Sequence, residues 1–383
     1  MSNRGRSPRD PQQPNWQARA DLTSTTIPQQ AFRADASSYR QPPRPQRGAR
    51  TPSRTRVPAP PRRERLPGGT ALDVLDQLDT EDSTGFSWRD LLWRIRRMDF
   101  GRGKGSAYED DLRDRIRTPV GTAIPIAVLN LKGGVGKTAV VEALGSTFAD
   151  VRNDRVIAID IDGGDLTDRH GRRSRLNMVD LLRDQSVTRY PDVRAHTYMN
   201  SSGLEVLGLP EYENTRWRVD RPDIVKVFSI LRKHYSVVLV DCAKALKSAV
   251  MEAVLPESRA LVVVTSTSID AIRKTRIALD WLRNNGYQNL LASTVLAINH
   301  TQSANPDTLA CKELEQLSAQ VAATVALPFD RHVHKGKEIG LDRMSRESRR
   351  CYLELAAALV DRFGGNEIDR DFAAASGVRL RSD

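Results

Sequence analysis

Residues 130–139 read Asn-Leu-Lys-Gly-Gly-Val-Gly-Lys-Thr-Ala, directly after the apolar run 124–129. Glycines let the backbone close around an anion, so that successive N–H groups point at phosphate oxygens and the following helix adds the positive end of its dipole. In such a loop Lys137 meets the β- and γ-phosphates, and the Thr138 hydroxyl meets Mg²⁺. Gly133, Gly134, Val135, Gly136 and Ala139 supply the rest of the cradle. The ordinary spacing, G-x-x-x-x-G-K-[ST], requires glycine at position 131, where this chain has Leu131. A second lysine, Lys132, stands near the front of the loop instead. The chemistry implied is binding of a nucleoside triphosphate with Mg²⁺.

Two further groups of polar residues sit at the ends of apolar runs. Asp160 and Asp162 are two apart, a spacing that a strand directs to one side. Asp241 closes the run 236–240 as a single acid after hydrophobic residues, a pattern that holds Mg²⁺ through water, since hard cations prefer oxygen. Asn299 closes another run with both a donor and an acceptor, which suits a purine edge. Pro328-Phe329-Asp330 follows the last run, where such residues are also ordinary loop punctuation.

The elements that must position these residues are visible as alternation. Short β-rich runs at 124–129, 155–161, 204–209, 236–242, 259–266, 290–299 and 322–328 are separated by helical stretches. Near-continuous Val/Ile/Leu runs indicate strands covered on both faces. The fold class expected is α/β, a mostly parallel twisted sheet flanked by helices. In such folds ligands sit at the carboxyl ends of the strands, where all the residues above fall.

The K-G-G-x-G-K-T loop with Leu131 and Lys132 resembles the deviant Walker A motif of the ParA/MinD family of P-loop ATPases. The resemblance covers roughly residues 86–363. It implies ATP and Mg²⁺ as ligands, with Asp160 supporting the Mg²⁺ water shell and Asp162 positioning or deprotonating the attacking water. It implies that Asn299, Pro328 and Phe329 hold the adenine. It also implies that Lys132 reaches the phosphates of a second subunit, so that ATP binds a homodimer together. After its acid the family usually continues with Pro or Gly and a further Gly, whereas this chain reads Asp241-Cys242-Ala243-Lys244-Ala245-Leu246. Hydrolysis is therefore expected to be slow and partner-stimulated. The phrases at 88–94, 108–117, 155–162, 203–207 and 279–287 resemble actinobacterial MinD-like ATPases associated with type VII secretion loci, which often carry a Pro-rich N-terminal extension.

Charge is unevenly spread. Residues 1–70 hold 14 Arg, no Lys and 4 acids, with 12 of the 20 prolines, whereas the remainder has 45 basic against 44 acidic groups. The first part has only Trp16, Phe32 and Tyr39 as aromatics and too little apolar surface to fold alone. The expected organisation is a disordered Arg/Pro-rich tail at 1–68, a helical linker at 69–120, a P-loop domain at 121–364 and a flexible tail at 365–383. Leu72, Leu75 and Leu78 form one short apolar stripe, open to partner docking or to packing. Ser87 precedes a helix carrying Trp88, Leu91, Leu92 and Ile95, and a second helix is expected at 108–116.

The tail suits nucleic acid, an acidic membrane face or a partner protein, or it is a solvated leader. Three dispersed cysteines, no apolar run near bilayer length and no signal-type segment point to a reducing, cytoplasmic setting, with recruitment to a membrane complex or the nucleoid left open. The last residues lack a sustained apolar face, so direct membrane insertion is not expected. Three functions remain: an ATP-driven accessory or positioning ATPase for a secretion system, a partition ATPase binding DNA nonspecifically, and a nucleotide-sensing scaffold with little hydrolysis. Nonspecific DNA binding would use the arginines at 169, 172, 173 and 175 and those at 343, 346, 349 and 350.

Overall fold

The computed structural model describes residues 105–161, 163, 165–211, 217–242, 245–302 and 306–375, with side chains to Phe363. The Arg/Pro-rich tail, the leucine stripe at 72–78, the helix expected around Trp88, Asp162 and residues 243–244 lie outside the described residues.

In chain order the strands are β1 (Ile124–Leu129), β2 (Val156–Asp160), β3 (Tyr198–Met199), β4 (Glu205–Leu207), β5 (Val237–Asp241), β6 (Ala260–Ser266), β7 (Thr294–Asn299) and β8 (Ala323–Leu327). The helices are α1 (Ser106–Arg117), α2 (Lys137–Val151), α3 (Asp165–Arg169), α4 (Met178–Arg183), α5 (Tyr190–Arg194), α6 (Arg221–Leu231), α7 (Ala249–Glu257), α8 (Ile269–Asn284), α9 (Gln288–Ala292), α10 (Thr308–Ser318), α11 (Arg331–His334) and α12 (Arg346–Ala375). The sheet order is β3-β4-β2-β5-β1-β6-β7-β8, parallel throughout except for β3 against β4.

The reason for a sheet covered on both faces is written in the strands. Ala127, Leu129, Val238 and Val240 enter one buried cluster, and Ile126, Val128, Val237 and Leu239 enter the other. Successive residues of a strand face opposite ways, so a continuous apolar run feeds two cores at once. Helix α2 packs on the second face together with α12 and α1. Leu112 and Ile116 of α1 are fully buried there, the Tyr108 hydroxyl lies 3.5 Å from Glu354, and Arg152 donates to the Ile116 carbonyl at 2.7 Å.

Three details differ from the sequence reading. The run at 290–299 is not one strand: residues 288–292 form α9, and β7 begins at Thr294. Leu290 and Leu291 are buried in α9, and a short apolar run does not by itself reveal its period. Ser293 Oγ meets the Leu290 carbonyl at 3.0 Å where that helix ends, and the β-branched Thr294 starts the strand. Next, the antiparallel β3 carries only two residues, too few to show a pattern. Finally, α12 continues to Ala375, past the boundary expected at 364 and through Gly364 and Gly365, although glycine is a poor helix former.

Candidate functional site

Strand β1 leads straight into the glycine-rich loop, whose first residue is pinned from below. Asn130 is 1% exposed; its Nδ2 donates to the Val264 carbonyl and, at 3.0 Å, to Thr275 Oγ1, while its Oδ1 accepts the Lys132 N–H at 2.5 Å. Gly134 and Gly136 have φ of 79° and 86°, in the left-handed region that glycine occupies without strain. At Gly136 there is also no room: a Cβ would lie 2.2 Å from Asn299 Nδ2. Helix α2 begins one residue later at Lys137, so its unpaired N–H groups and positive dipole end face the loop.

Lys137 is almost buried and pairs with Asp241 Oδ1, and Asp241 has no exposure. Parallel register places Asp160 directly beside Asp241 at the ends of β2 and β5. Asp160 is likewise fully buried, and its Oδ2 accepts the Leu166 N–H of α3 at 2.9 Å. Thr138 is half-buried in the first turn of α2. Lys132 lies outside this cluster. Its Nζ is 3.7 Å from Asp270 Oδ2 at the start of α8, and both side chains are well exposed.

Two adjoining cavities surround the loop. The first, ≈ 410 Å³, is lined by residues 132–139 together with Asp165, Asp168, Arg169 and Gly336. The second, ≈ 210 Å³, is lined by Asn299, His300, Thr301, Pro328, Phe329, Asp330, Val333, His334 and Tyr352, and shares Gly134, Gly136, Ala139 and Arg169 with the first. The structure thus gathers Asn299, Pro328 and Phe329 beside the glycine-rich loop, as the ends of β7 and β8 are neighbours in register. Asn299 Nδ2 donates to the Val135 carbonyl at 2.8 Å, so this asparagine also braces the loop. The Phe329 ring is tilted against His334, with centroids 5.2 Å apart. Burial pushes His300 down to about 4, so it is neutral at physiological pH.

The residue set fits a magnesium nucleotide. Among the described residues no group of three or more His, Cys, Asp or Glu is close enough to hold a metal unaided. Mg²⁺ usually binds through one or two protein oxygens plus phosphate and water, a set to which the Thr138 hydroxyl and the carboxylates of Asp160 and Asp241 are chemically suited.

An ion pair absent from the sequence reading joins the site. Glu142 lies one turn after Thr138 on α2 with no exposure. Its Oε2 accepts Arg169 Nε at 2.6 Å, and its Oε1 accepts the Ile339 N–H at 2.6 Å. Burial pushes the Glu142 carboxyl up and the Arg169 guanidinium opposes that shift. His170 beside it is pushed down to about 4 by burial, then by Arg169 and Arg173. A glutamate inside the apolar stretch 139–148 was the available signal, since a buried carboxylate demands a partner.

The arginines expected to serve DNA are largely engaged. Arg169 turns inward, Arg172 meets Asp168 at 2.6 Å, Arg173 meets Glu338 at 2.9 Å, Arg346 meets Glu109 at 3.4 Å and Arg350 meets Glu354 at 3.6 Å. No helix among the described residues is long and apolar enough to cross a membrane.

The family model described as an AAA domain matches residues 123–273. The ESX-1 secretion-associated protein EspI of Mycobacterium tuberculosis, in strains H37Rv and CDC 1551, is 40% identical over 281 residues, covering 72% of this chain and 42% of the relative. The chain therefore spans less than half the length of these curated relatives. A ParA family ATPase from Chlorobium tepidum shares the fold, with a TM-score of 0.53 at 15% identity over 62% of this chain and 98% of that one. The cell division ATPase MinD of Pyrococcus furiosus aligns at 19% identity with a TM-score of 0.48, covering 62% of this chain and 99% of that chain.

Proposed function

We propose that this chain, which carries a ParA/MinD-like P-loop domain related to a type VII secretion-associated protein, is an ATP-binding, dimerising molecular switch serving as accessory or positioning ATPase for a secretion system. The observation that carries this reading is the Lys137–Asp241 ion pair, set at the strand end beside Asp160 and directly under the glycine loop. A lysine held in place by the metal-side carboxylate is oriented before the anion arrives, which lowers the cost of ordering it.

In this reading the loop N–H groups and Lys137 hold the β- and γ-phosphates, and Asn299, Pro328 and Phe329 receive the adenine. Thr138, Asp160 and Asp241 would hold Mg²⁺, which neutralises phosphate charge when bound. Asp162 orients the attacking water. Lys132, exposed and only loosely paired with Asp270, is free to reach a second subunit. The 40% identity to EspI supports a secretion setting and a protein partner, recruited through the N-terminal tail or the stripe at Leu72, Leu75 and Leu78.

A nucleotide-sensing scaffold with little turnover is the second reading, and one observation favours it. Cys242 and Leu246 are both buried in the core cluster, on either side of residues 243–244. The sequence from Cys242 to Leu246 also has no glycine, the residue that would give the backbone freedom beside a γ-phosphate. The two readings part in one experiment, phosphate release with and without partner, alongside light scattering with ATP and Mg²⁺. A switch shows an ATP-dependent dimer and stimulated release; a scaffold shows the dimer with no release above background.

A further inference from the structure

We infer that Arg169 is a ligand-binding residue of the nucleotide site, whose open guanidinium nitrogen takes the α-phosphate of the bound nucleotide. The inference rests on the nucleotide reading above and adds a residue and a subsite to it. Arg169 lines both the cavity around residues 132–139 and the cavity around Asn299 and Phe329. The part of a nucleotide that passes from a phosphate pocket to a base pocket is the α-phosphate with its sugar, so the junction of the two cavities is where that group must lie.

The guanidinium is already committed on two of its three nitrogens. Nε donates to Glu142 at 2.6 Å and Nη2 to the Val333 carbonyl at 3.4 Å. Among the described residues no hydrogen bond is made from Nη1. The side chain is 11% exposed and Glu142 not at all, so the fork is held rigidly by a buried carboxylate and desolvated on most sides. Guanidinium is the side-chain group best matched to a phosphate oxygen, and a pre-oriented one loses little freedom on binding.

Arg169 also joins three elements. It ends α3, it pairs with α2 through Glu142, and it reaches the Val333 carbonyl in α11; Glu142 in turn accepts the Ile339 N–H. Occupation of Nη1 by a phosphate therefore tightens the segments after β2 and β8 onto the loop helix.

The test is calorimetric titration of the full chain with ADP and with ATP, Mg²⁺ present, for wild type and for the double variant E142Q/R169M. The double variant removes the ion pair without leaving an unpaired buried charge, and the side-chain amide introduced by E142Q retains an acceptor for the Ile339 N–H. R169K is run beside it, and thermal unfolding of each ligand-free protein reports on the fold. The expected result is a loss of roughly 10- to 100-fold in affinity, equal for ADP and ATP, because both carry the α-phosphate. Wild type should also discriminate between the two diastereomers of ATP with sulfur on the α-phosphorus, and E142Q/R169M should not, a readout that a structural role would leave unmoved. Unchanged ADP affinity in a folded E142Q/R169M, retained discrimination, or a loss confined to ATP would each overturn the assignment. If wild type binds neither ADP nor ATP, the nucleotide reading itself falls and this inference with it.

Discussion

Asp160 and Asp241 stand side by side at the carboxyl ends of neighbouring parallel strands, both without exposure, and Asp241 takes the Lys137 ammonium. Two buried carboxylates in register are costly unless cations or N–H groups face them. Here Lys137 faces one and the Leu166 N–H faces the other, which leaves the pair pre-arranged beside the loop.

Removal of the Asp241 charge should therefore hurt folding more than removal of the Asp160 charge. D241N takes this counter-charge away from the nearly buried Lys137 and should cost about 3–5 kcal/mol in urea unfolding. D160N keeps an acceptor for the Leu166 N–H and should cost about 1 kcal/mol. Equal stabilities for the two variants would contradict the arrangement.

Gly136→Ala is expected to damage the loop twice over. A Cβ there meets Asn299 Nδ2 at 2.2 Å, and φ of 86° strains any L side chain. A stability loss of about 1–3 kcal/mol is predicted, together with loss of nucleotide binding. Thermal unfolding and ATP titration check both; wild-type values would show that the loop has slack.

Lys132→Ala should separate dimerisation from binding. Its exposed pair with Asp270 contributes little, so stability should change by under about 0.5 kcal/mol. At protein concentrations where wild type is still monomeric, ATP affinity should be nearly unchanged, while the ATP-dependent dimer seen at higher concentration disappears in light scattering. A dimer persisting in the variant would remove the role given to Lys132.

Acid should weaken the fold through two histidines. His170 and His300 are each pushed down to about 4 from 6.5, the first by burial and then Arg169 and Arg173, the second by burial alone. Between those values the unfolded chain binds more protons than the folded one, so stability falls as pH drops from about 6.5 towards 4. Each histidine contributes a slope of about 1.4 kcal/mol per pH unit within that window. Urea unfolding of wild type and H170Q between about pH 7 and 5 should differ by one such slope; parallel profiles would contradict it.

What was legible in the sequence is what the backbone dictates locally. Glycine spacing before Lys137, an acid closing an apolar run at Asp241, and the order of runs place the loop, the strand ends and the parallel sheet. Arg169 and Glu142 were not legible as a pair. They lie 27 residues apart and meet only because α2 and α3 pack together, and Arg169 read as one of several surface arginines. Asn130 was similarly hidden, since its partners Val264 and Thr275 belong to a later strand and helix. The leucines at 290–291 failed for another reason, because burial alone does not distinguish a helical turn from a strand.

The central claim is that the loop at 130–139 binds ATP through Lys137, and equilibrium titration with ATP and Mg²⁺ tests it most directly. Wild type should bind saturably, more tightly with Mg²⁺ than without, and folded Lys137→Ala should lose binding by at least about 100-fold. Absence of ATP binding by wild type, or equal affinity in the folded variant, would contradict the account.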